Sequence, residues 1–326
     1  MPVYNAAPFL VECLQSVLKQ TEPDWELLAV DDFSTDQSWA ILQEFAQQDD
    51  RIKVFTNEEK GIIPALRKAY AASSGNLITR MDADDVMPPR KLEVLCNALK
   101  KVGPGHIATG LVQYFSEGKL GEGFQKYEQW LNALTGENRN FEAIYKECVI
   151  PSPAWMVYRD DLDQCEAFNP DTYPEDYDLC FRFYKNRLKP VGCREVVHLW
   201  RDHQQRASRN DPNYTDQTFF ELKLPYFIDL DYNQSRPLVL WGAGKKGKTL
   251  AKMLAEKYID FRWVCNSTSK WGKQINGIKM ENFNILQELV DPQVIIAVAG
   301  PKDQKGIEQY LKKMNFTEGK HYYFFC

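Results

Sequence analysis

The sequence has no run of about 18 apolar residues, the length a helix needs to cross a bilayer, and its start lacks the basic-then-apolar order of a secretory leader. With neither feature, the expectation is a cytoplasmic protein, or one lying peripherally on the inner face of the membrane. Its eight cysteines, at 13, 96, 148, 165, 180, 193, 265 and 326, form no CxxC pair. That spacing excludes a zinc knuckle or a dense disulfide framework and leaves reduced thiols as the simplest account. Internal repeats and low-complexity tracts are absent, and with Gly 18 and Pro 17 neither a collagenous nor a disordered chain is expected. Strong positive charge is also missing: 40 Lys+Arg against 45 Asp+Glu leave a net −5, so nucleic acid is not an expected partner. The charge is uneven, because Arg236 to Cys326 holds 15 basic and 8 acidic residues. A local excess of that sign favours a small anionic ligand or, at most, peripheral membrane contact.

What is present is ample apolar material, 44% of 326 residues, enough for two domains with separate cores. Phe9, Leu10, Cys13, Leu14, Val17 and Leu18 recur at helical spacing, and Trp25 to Val30 reads as a short buried strand. The alternation continues with helices at Trp39 to Phe45, Pro64 to Ala72 and Pro89 to Lys101, and strands at Ile52 to Phe55 and Leu77 to Met81. Such alternation predicts an α/β fold with a mostly parallel sheet and helices on both faces. Residues 103 to 150 read as irregular, followed by a strand at Trp155 to Tyr158 and a helix at Glu175 to Tyr184. Residues 206 to 235 read as a connector. From Arg236 a second, smaller α/β unit is expected, with strands at Pro237 to Trp241, Phe261 to Cys265 and Val294 to Ala299, and further elements at Leu286 to Leu289 and Ile307 to Met314. Tyr322 to Phe325 is expected to add a last buried strand.

Ligands of parallel sheets sit beyond the carboxyl ends of the strands, where Asp31-Asp32 and Asp82-Ala-Asp84-Asp85 fall. Several carboxylates held together repel and raise one another's pKa, and a hard divalent cation relieves the repulsion. A solvated acidic turn capping a helix is the competing explanation of the second cluster. Asp32, at a strand end, is suited to accept hydrogen bonds from a base or ribose. Glu175 and Asp176 open a helix, where they either serve chemistry or merely favour its dipole.

Pro2-Val-Tyr4-Asn5, Asp31 to Asp36, Asn57 with Gly61, Met81 to Asp85 and Glu175-Asp-Tyr-Asp178, in this order and spacing, closely resemble the family 2 glycosyltransferases with the GT-A fold. The resemblance spans residues 1 to about 205. It implies a nucleotide-sugar donor whose base and ribose lie against Pro2, Tyr4, Asn5 and Asp32, and a glycan or lipid-linked acceptor. It further implies a divalent cation, manganese or magnesium, on Asp84 with help from Asp82, which also counts with the donor site. Asp176, paired with Glu175, takes the place of the family's catalytic acid pair and implies a general base for inverting transfer. Trp200-Arg201-Asp-His203 with Ser208 looks like the family's segment over the diphosphate, which gives Arg201 a donor contact and His203 a metal or phosphate contact; an ordinary histidine is the alternative.

Two departures from the family pattern stand out. The Pro-x-Tyr-Asn turn begins at Pro2, so the central strand that precedes it in relatives is expected to lie upstream of Met1. Ala65-Leu66-Arg67-Lys68 replaces Ala-Arg-Asn, so Arg67 or Lys68 is expected to substitute for the missing arginine contact.

Gly242-Ala-Gly244-Lys-Lys-Gly247 follows a strand and opens a helix, the context in which glycines let a pyrophosphate rest on helix N–H groups. Gly242, Gly244 and Gly247 are therefore candidates for an anion site, with a purely structural turn as the alternative. The next strand ends in Asn266 without an acid for ribose hydroxyls, so NAD is not expected. This part resembles the small Rossmann-like domains attached to sugar-modifying enzymes. The leading reading is an inverting, metal-dependent glycosyltransferase of bacterial surface polysaccharide or glycan synthesis. A NAD-dependent sugar oxidoreductase acting through the C-terminal part and a non-catalytic sugar-nucleotide binder are the alternatives.

Overall fold

Leu10, Cys13, Leu14 and Val17 share one face of helix α1 (Ala7–Leu18) and are fully or almost fully buried. In this computed structural model, residues 1–118, 120–206, 209, 219–275 and 277–326 are described. The chain divides into two compact units, one of Met1–Asn140 with Val149–Thr215 and one of Phe141–Cys148 with Asp216–Cys326.

In the first unit, β1 (Pro2–Val3), β2 (Leu27–Asp31) and β3 (Ile52–Thr56) form a parallel sheet in that order. Pro2 and Val3, expected to begin a turn, pair with Val30 and Asp31. All five residues of β2 are buried. Ala29 faces the cluster containing Leu10, Cys13 and Leu42 of α2 (Ser38–Gln48), while Leu28 and Val30 pack on Ala65 and Ala69 of α3 (Ile62–Ala72). Helices therefore cover both faces, as the continuous apolar pattern of β2 requires.

A second sheet has the order β4 (Leu77–Thr79), β6 (Trp155–Tyr158), β5 (His106–Phe115), β7 (Lys189–Arg201). Its β6 runs antiparallel to both neighbours, and β5 and β7 are parallel. Helix α4 (Lys91–Val102) adds Leu95 and Leu99 to the core. The stretch expected to be irregular holds β5 and α5 (Glu122–Gly136). Thr109, Gly110 and Gln113 interrupt the apolar pattern of β5, and only Leu131 and Thr135 of α5 are fully buried, which weakens both periodicities. β7 shows no strand pattern in the sequence, because its first half is polar and partly exposed. Helices α6 (Arg159–Gln164) and α7 (Glu175–Lys185) complete the unit, and α7 follows a cis Tyr173-Pro174 bond.

In the second unit, β8 (Leu238–Trp241), β9 (Arg262–Cys265), β10 (Gln274–Ile275), β11 (Ile278–Asn282), β12 (Gln293–Ile296) and β13 (Tyr322–Phe324) form one sheet in the order β10-β11-β9-β8-β12-β13. All pairs are parallel except β10 with β11. The expected connector contains helix α8 (Phe220–Leu230), whose internal Pro225 obscures the helical pattern of buried Phe220, Leu224 and Phe227. Leu286 and its neighbours lie in a single 3-10 segment, Phe283–Glu288. Helices α9 (Lys245–Glu256) and α10 (Pro301–Lys313) pack on the sheet through Leu250, Leu254, Ile307 and Leu311.

Phe141–Cys148 belongs to this second core although it precedes β6. Tyr145 stacks on Phe325 at 5.3 Å and 4° and meets Phe227 and Tyr323 edge-on, and its hydroxyl donates to Asp231 at 2.5 Å. Among the described residues no helix is long and apolar enough to cross a membrane.

Candidate active site

β4 ends at Thr79 and delivers Arg80, Met81, Asp82, Ala83, Asp84 and Asp85 in succession. The loop is fastened to β7 by reciprocal backbone bonds between Val86 and Leu199, at 3.1 and 3.0 Å. Asp85 turns inward: its carboxylate meets His198 Nε2 at 2.8 Å and accepts from the Arg201 backbone N–H at 2.7 Å. Burial, with Asp84 and Asp82 nearby, pushes Asp85 well above the usual carboxylate range, while burial and the Lys91 charge push His198 well below its own. Both shifts favour an uncharged pair, which suits a side-chain pair removed from water.

Asp84 turns outward and is the more exposed of the two. Its Oδ2 lies 2.8 Å from His203 Nε2, just past the end of β7. Burial alone raises Asp84, but the His203 hydrogen bond and the Arg206 charge outweigh it and hold the carboxyl below its ordinary value. Arg201 donates through Nε to the Asp84 carbonyl at 2.8 Å and through an outer nitrogen to Glu12 at 2.5 Å.

Arg80, which no motif in the sequence singles out, lies at the centre of the next cluster. Its side chain is 6% exposed, and it donates to Asp82 at 3.0 Å and to Glu175 at 2.9 Å. Burial opposes its charge, yet Asp82, Glu175 and Asp176 together hold its pKa above normal. The available signal was a charged residue directly ahead of an acidic cluster, at the end of an apolar strand. Asp176, next along from Glu175, accepts from the Tyr177 N–H at 2.8 Å. Burial, then the Glu175 charge, raise its carboxyl to about 7, with Arg80 pulling the other way.

On the other strands, the first turn and the Asp31 loop are cross-tied. Asn5, in a left-handed conformation at φ 48°, donates its N–H to Ser34 Oγ at 3.0 Å and accepts from the Thr35 N–H at 2.8 Å. Asp36 accepts from the Ala7 N–H at 3.0 Å, satisfying the start of α1, which has no cap of its own. Pro2 lies in β1 and Tyr4 is 51% exposed, with the Lys60 ammonium 4.5 Å from its ring centre. Asp32 accepts from Asn57 Nδ2 at 2.7 Å and from the Gly61 N–H at 2.9 Å. Gly61 has φ 142°, a conformation side chains rarely adopt, so the loop can close on Asp32 only with glycine there. Arg67 donates to the carbonyls of Phe168 and Asn169 and to Asp171, and Lys68 pairs with Glu58 at 2.7 Å. Both side chains thus engage protein groups. Ser208 lies outside the described residues.

Among the described residues no three His, Cys, Asp or Glu side chains gather closely enough to enclose a metal ion. Asp84 and His203 nevertheless provide an oxygen and a nitrogen donor side by side, and His203 Nδ1 is buried without a partner. That donor chemistry fits manganese or magnesium, with further positions left to a ligand's own oxygens.

In the second unit Gly242 and Gly244 lie in the turn between β8 and α9, and Gly247 lies in the first turn of α9. A Cβ on Gly247 would stand 2.1 Å from the Gly242 carbonyl oxygen, and one on Gly242 2.8 Å from that of Ala297. Packing therefore requires glycine at 242 and 247, whereas a Cβ on Gly244 would meet nothing within 4 Å. Asn266 accepts from Trp241 Nε1 at 2.5 Å.

Several known proteins are similar to this chain. TuaG of Bacillus subtilis, a glycosyltransferase named for teichuronic acid biosynthesis, is 39% identical over 220 residues, 67% of this chain and 84% of that protein. The Escherichia coli UDP-Glc:alpha-D-GlcNAc-diphosphoundecaprenol beta-1,3-glucosyltransferase WfgD is 41% identical over 230 residues, 64% of this chain and 78% of that one. Streptococcus pneumoniae GlyG is 38% identical over 96 residues, so the chain matches 32% of its length. The crystal structure of Staphylococcus aureus TarS 1-349 with UDP-GlcNAc superposes with a TM-score of 0.53 at 17% identity, covering 72% of this chain and 67% of that one, which supports the fold. The family model described as glycosyl transferase family 2 matches residues 1–165, which contain the β1 turn, Asp32 and the whole Asp82 to Asp85 loop, and the chain belongs to that family.

Proposed function

We propose that this glycosyltransferase moves a sugar from a nucleoside-diphosphate sugar to an acceptor hydroxyl with inversion at the anomeric carbon, during synthesis of a bacterial surface polysaccharide. The observation that carries this reading is the double engagement of Arg80. One guanidinium reaches Asp82, in the loop assigned to the donor, and Glu175, in the helix start assigned to the acceptor. That one guanidinium bridges two carboxylates far apart in sequence supports reading both clusters as parts of one site.

In this reading Asp176 takes the acceptor's hydroxyl proton as that oxygen attacks the anomeric carbon. The bond from that carbon to the diphosphate oxygen breaks on the opposite face, and the nucleoside diphosphate leaves with the electron pair. A carboxyl raised to about 7 is matched to that proton transfer near neutral pH. Asp84, Asp82 and His203 would hold a divalent cation, which supplies Lewis-acid stabilisation of the departing diphosphate. Arg201 contributes positive charge beside the same loop. Exposed Tyr4, with Pro2, Asn5 and Asp32, borders the place for base and ribose. Arg67 ties down the 168–171 loop ahead of α7 and Lys68 pairs with Glu58, so to bind the donor each would have to exchange a protein partner for a phosphate oxygen.

The similarity to WfgD, named for UDP-Glc and a diphosphoundecaprenol-linked acceptor, supports a UDP-sugar donor and a lipid-diphosphate acceptor, and that to TuaG supports surface polysaccharide synthesis. A place at the inner membrane face would bring such an acceptor within reach. The test is release of nucleoside diphosphate from UDP-glucose, UDP-GlcNAc, GDP-mannose and dTDP-rhamnose with manganese, in the presence of lipid-diphosphate-linked sugars. Turnover of at least one donor that Asp176→Asn abolishes is expected, and full activity in that variant refutes the assignment.

A further inference from the structure

Arg80 stands where a charge is costly. Its guanidinium is nearly out of contact with water, and a buried cation persists only when paired and hydrogen-bonded on several sides. Its partners come from different parts of the chain: Asp82 two residues on, and Glu175 ninety-five residues away. The root of the side chain is also pinned. Lys91 Nζ, itself buried, donates to the Arg80 carbonyl at 3.3 Å and to the Pro153 carbonyl at 2.5 Å. Burial lowers that lysine to about 8, and Asp82 and Asp85 oppose the loss of its charge. The planar fork of Arg80 thus springs from a fixed backbone and fixes two carboxylates that would otherwise repel each other.

We propose that Arg80 is a positioning residue for sugar transfer: it sets the spacing between the donor loop, through Asp82, and the first turn of α7, through Glu175, and so aims Asp176 at the acceptor hydroxyl. This rests on the reading that Asp82 serves the donor side and Asp176 the acceptor. With its guanidinium buried and committed to these two carboxylates, Arg80 is assigned no contact with either reactant. A lysine here retains the charge but presents a point rather than a fork, and one ammonium cannot reproduce two hydrogen bonds in separate fixed directions.

The test compares the unaltered chain with R80M, R80K, E175Q and the R80M/E175Q double variant, using the four sugar nucleotides above with manganese. A misplacement of about 1 Å costs on the order of 100-fold, so R80M is expected to lose about that factor in kcat with donor KM changed far less. Millimolar guanidinium should restore part of the lost rate, and R80K should recover less than roughly tenfold of it. Because Arg80 acts through Glu175, the double variant should fall within about threefold of the weaker single variant. An R80M kcat near that of the unaltered chain, or losses that multiply in the double variant, overturns the proposal. Should R80M fail to fold, R80K and E175Q carry the same comparison. If the unaltered chain turns over no sugar nucleotide, the functional reading fails, and the crystal structure of R80K decides the positioning claim separately. Asp82 and Glu175 kept within about 0.5 Å of their places would overturn it, and a larger separation would uphold it.

Discussion

Asp84 Oδ2 and His203 Nε2 face each other at 2.8 Å, joining the end of the β4 loop to the residue that follows β7 by two positions. A cation seated there would replace that hydrogen bond by two ligand bonds. Calorimetric titration with UDP should therefore show manganese-enhanced binding in the unaltered protein and none in Asp84→Ala. His203→Ala should weaken the enhancement by roughly tenfold or more. EDTA should remove the enhancement from the unaltered chain. UDP binding of equal strength with and without manganese would contradict the metal assignment.

Asp176 controls the second prediction. A general base must be unprotonated, and its carboxyl is raised to about 7, so kcat/KM should climb as pH rises through about 7 and level off above it. The neighbouring Glu175 charge contributes to the rise, so Glu175→Gln should move the midpoint downward by roughly one unit. Asp176→Asn should bind donor normally yet lose on the order of 10²- to 10⁴-fold in transfer rate. A pH profile flat between 6 and 8 would remove Asp176 from that role.

The turn of the second unit yields a stability prediction that is independent of chemistry. Gly242 has φ 141°, and a Cβ on Gly247 would meet its carbonyl oxygen at 2.1 Å, backbone against backbone, with no flexible side chain to yield. Gly247→Ala should lower stability by about 3 kcal/mol in chemical denaturation, in the range of overpacked cores. An unchanged midpoint would mean that helix and strand are set further apart than described.

Tyr145 ties the segment Phe141–Cys148 into the core of the second unit. The aromatic ring is buried among Phe227, Tyr323 and Phe325 although it lies between α5 and β6 in the chain. Tyr145→Ala should cost about 3 kcal/mol, as large-to-small changes in aromatic cores do. A chain ended after residue 205, the expected limit of the first domain, would strip this ring of its partners. Light scattering should then detect aggregation, and a monomer melting like the full chain would count against this packing.

Much of the alternation was legible because each element carries its own period. α1 and α4 repeat apolar residues at helical spacing, β2 is apolar throughout, and Asp82, Asp84 and Asp85 fall at a strand end. The elements that escaped were those whose local pattern is blurred by tertiary demands. β5 carries Gly110 because Val197 of β7 fills the space where a Cβ would go, and β7 reads as mixed because its first half is partly exposed. α8 hides behind Pro225. At the site, the outward carboxylate Asp84 and the inward Asp85 are adjacent in sequence and indistinguishable there. Packing against His198 and the Arg201 backbone separates their fates.

What the linear chain determined by itself was the order of strands and helices, the place of the acidic clusters at strand ends, and the family to which they belong, because spacing and residue type are local properties. Only the folded structure decided which carboxylates meet. Arg80 joins Asp82 to Glu175, Asp84 meets His203, and Phe141–Cys148 joins the second core, since each pairing depends on burying a charge or a ring beside a partner from a distant segment.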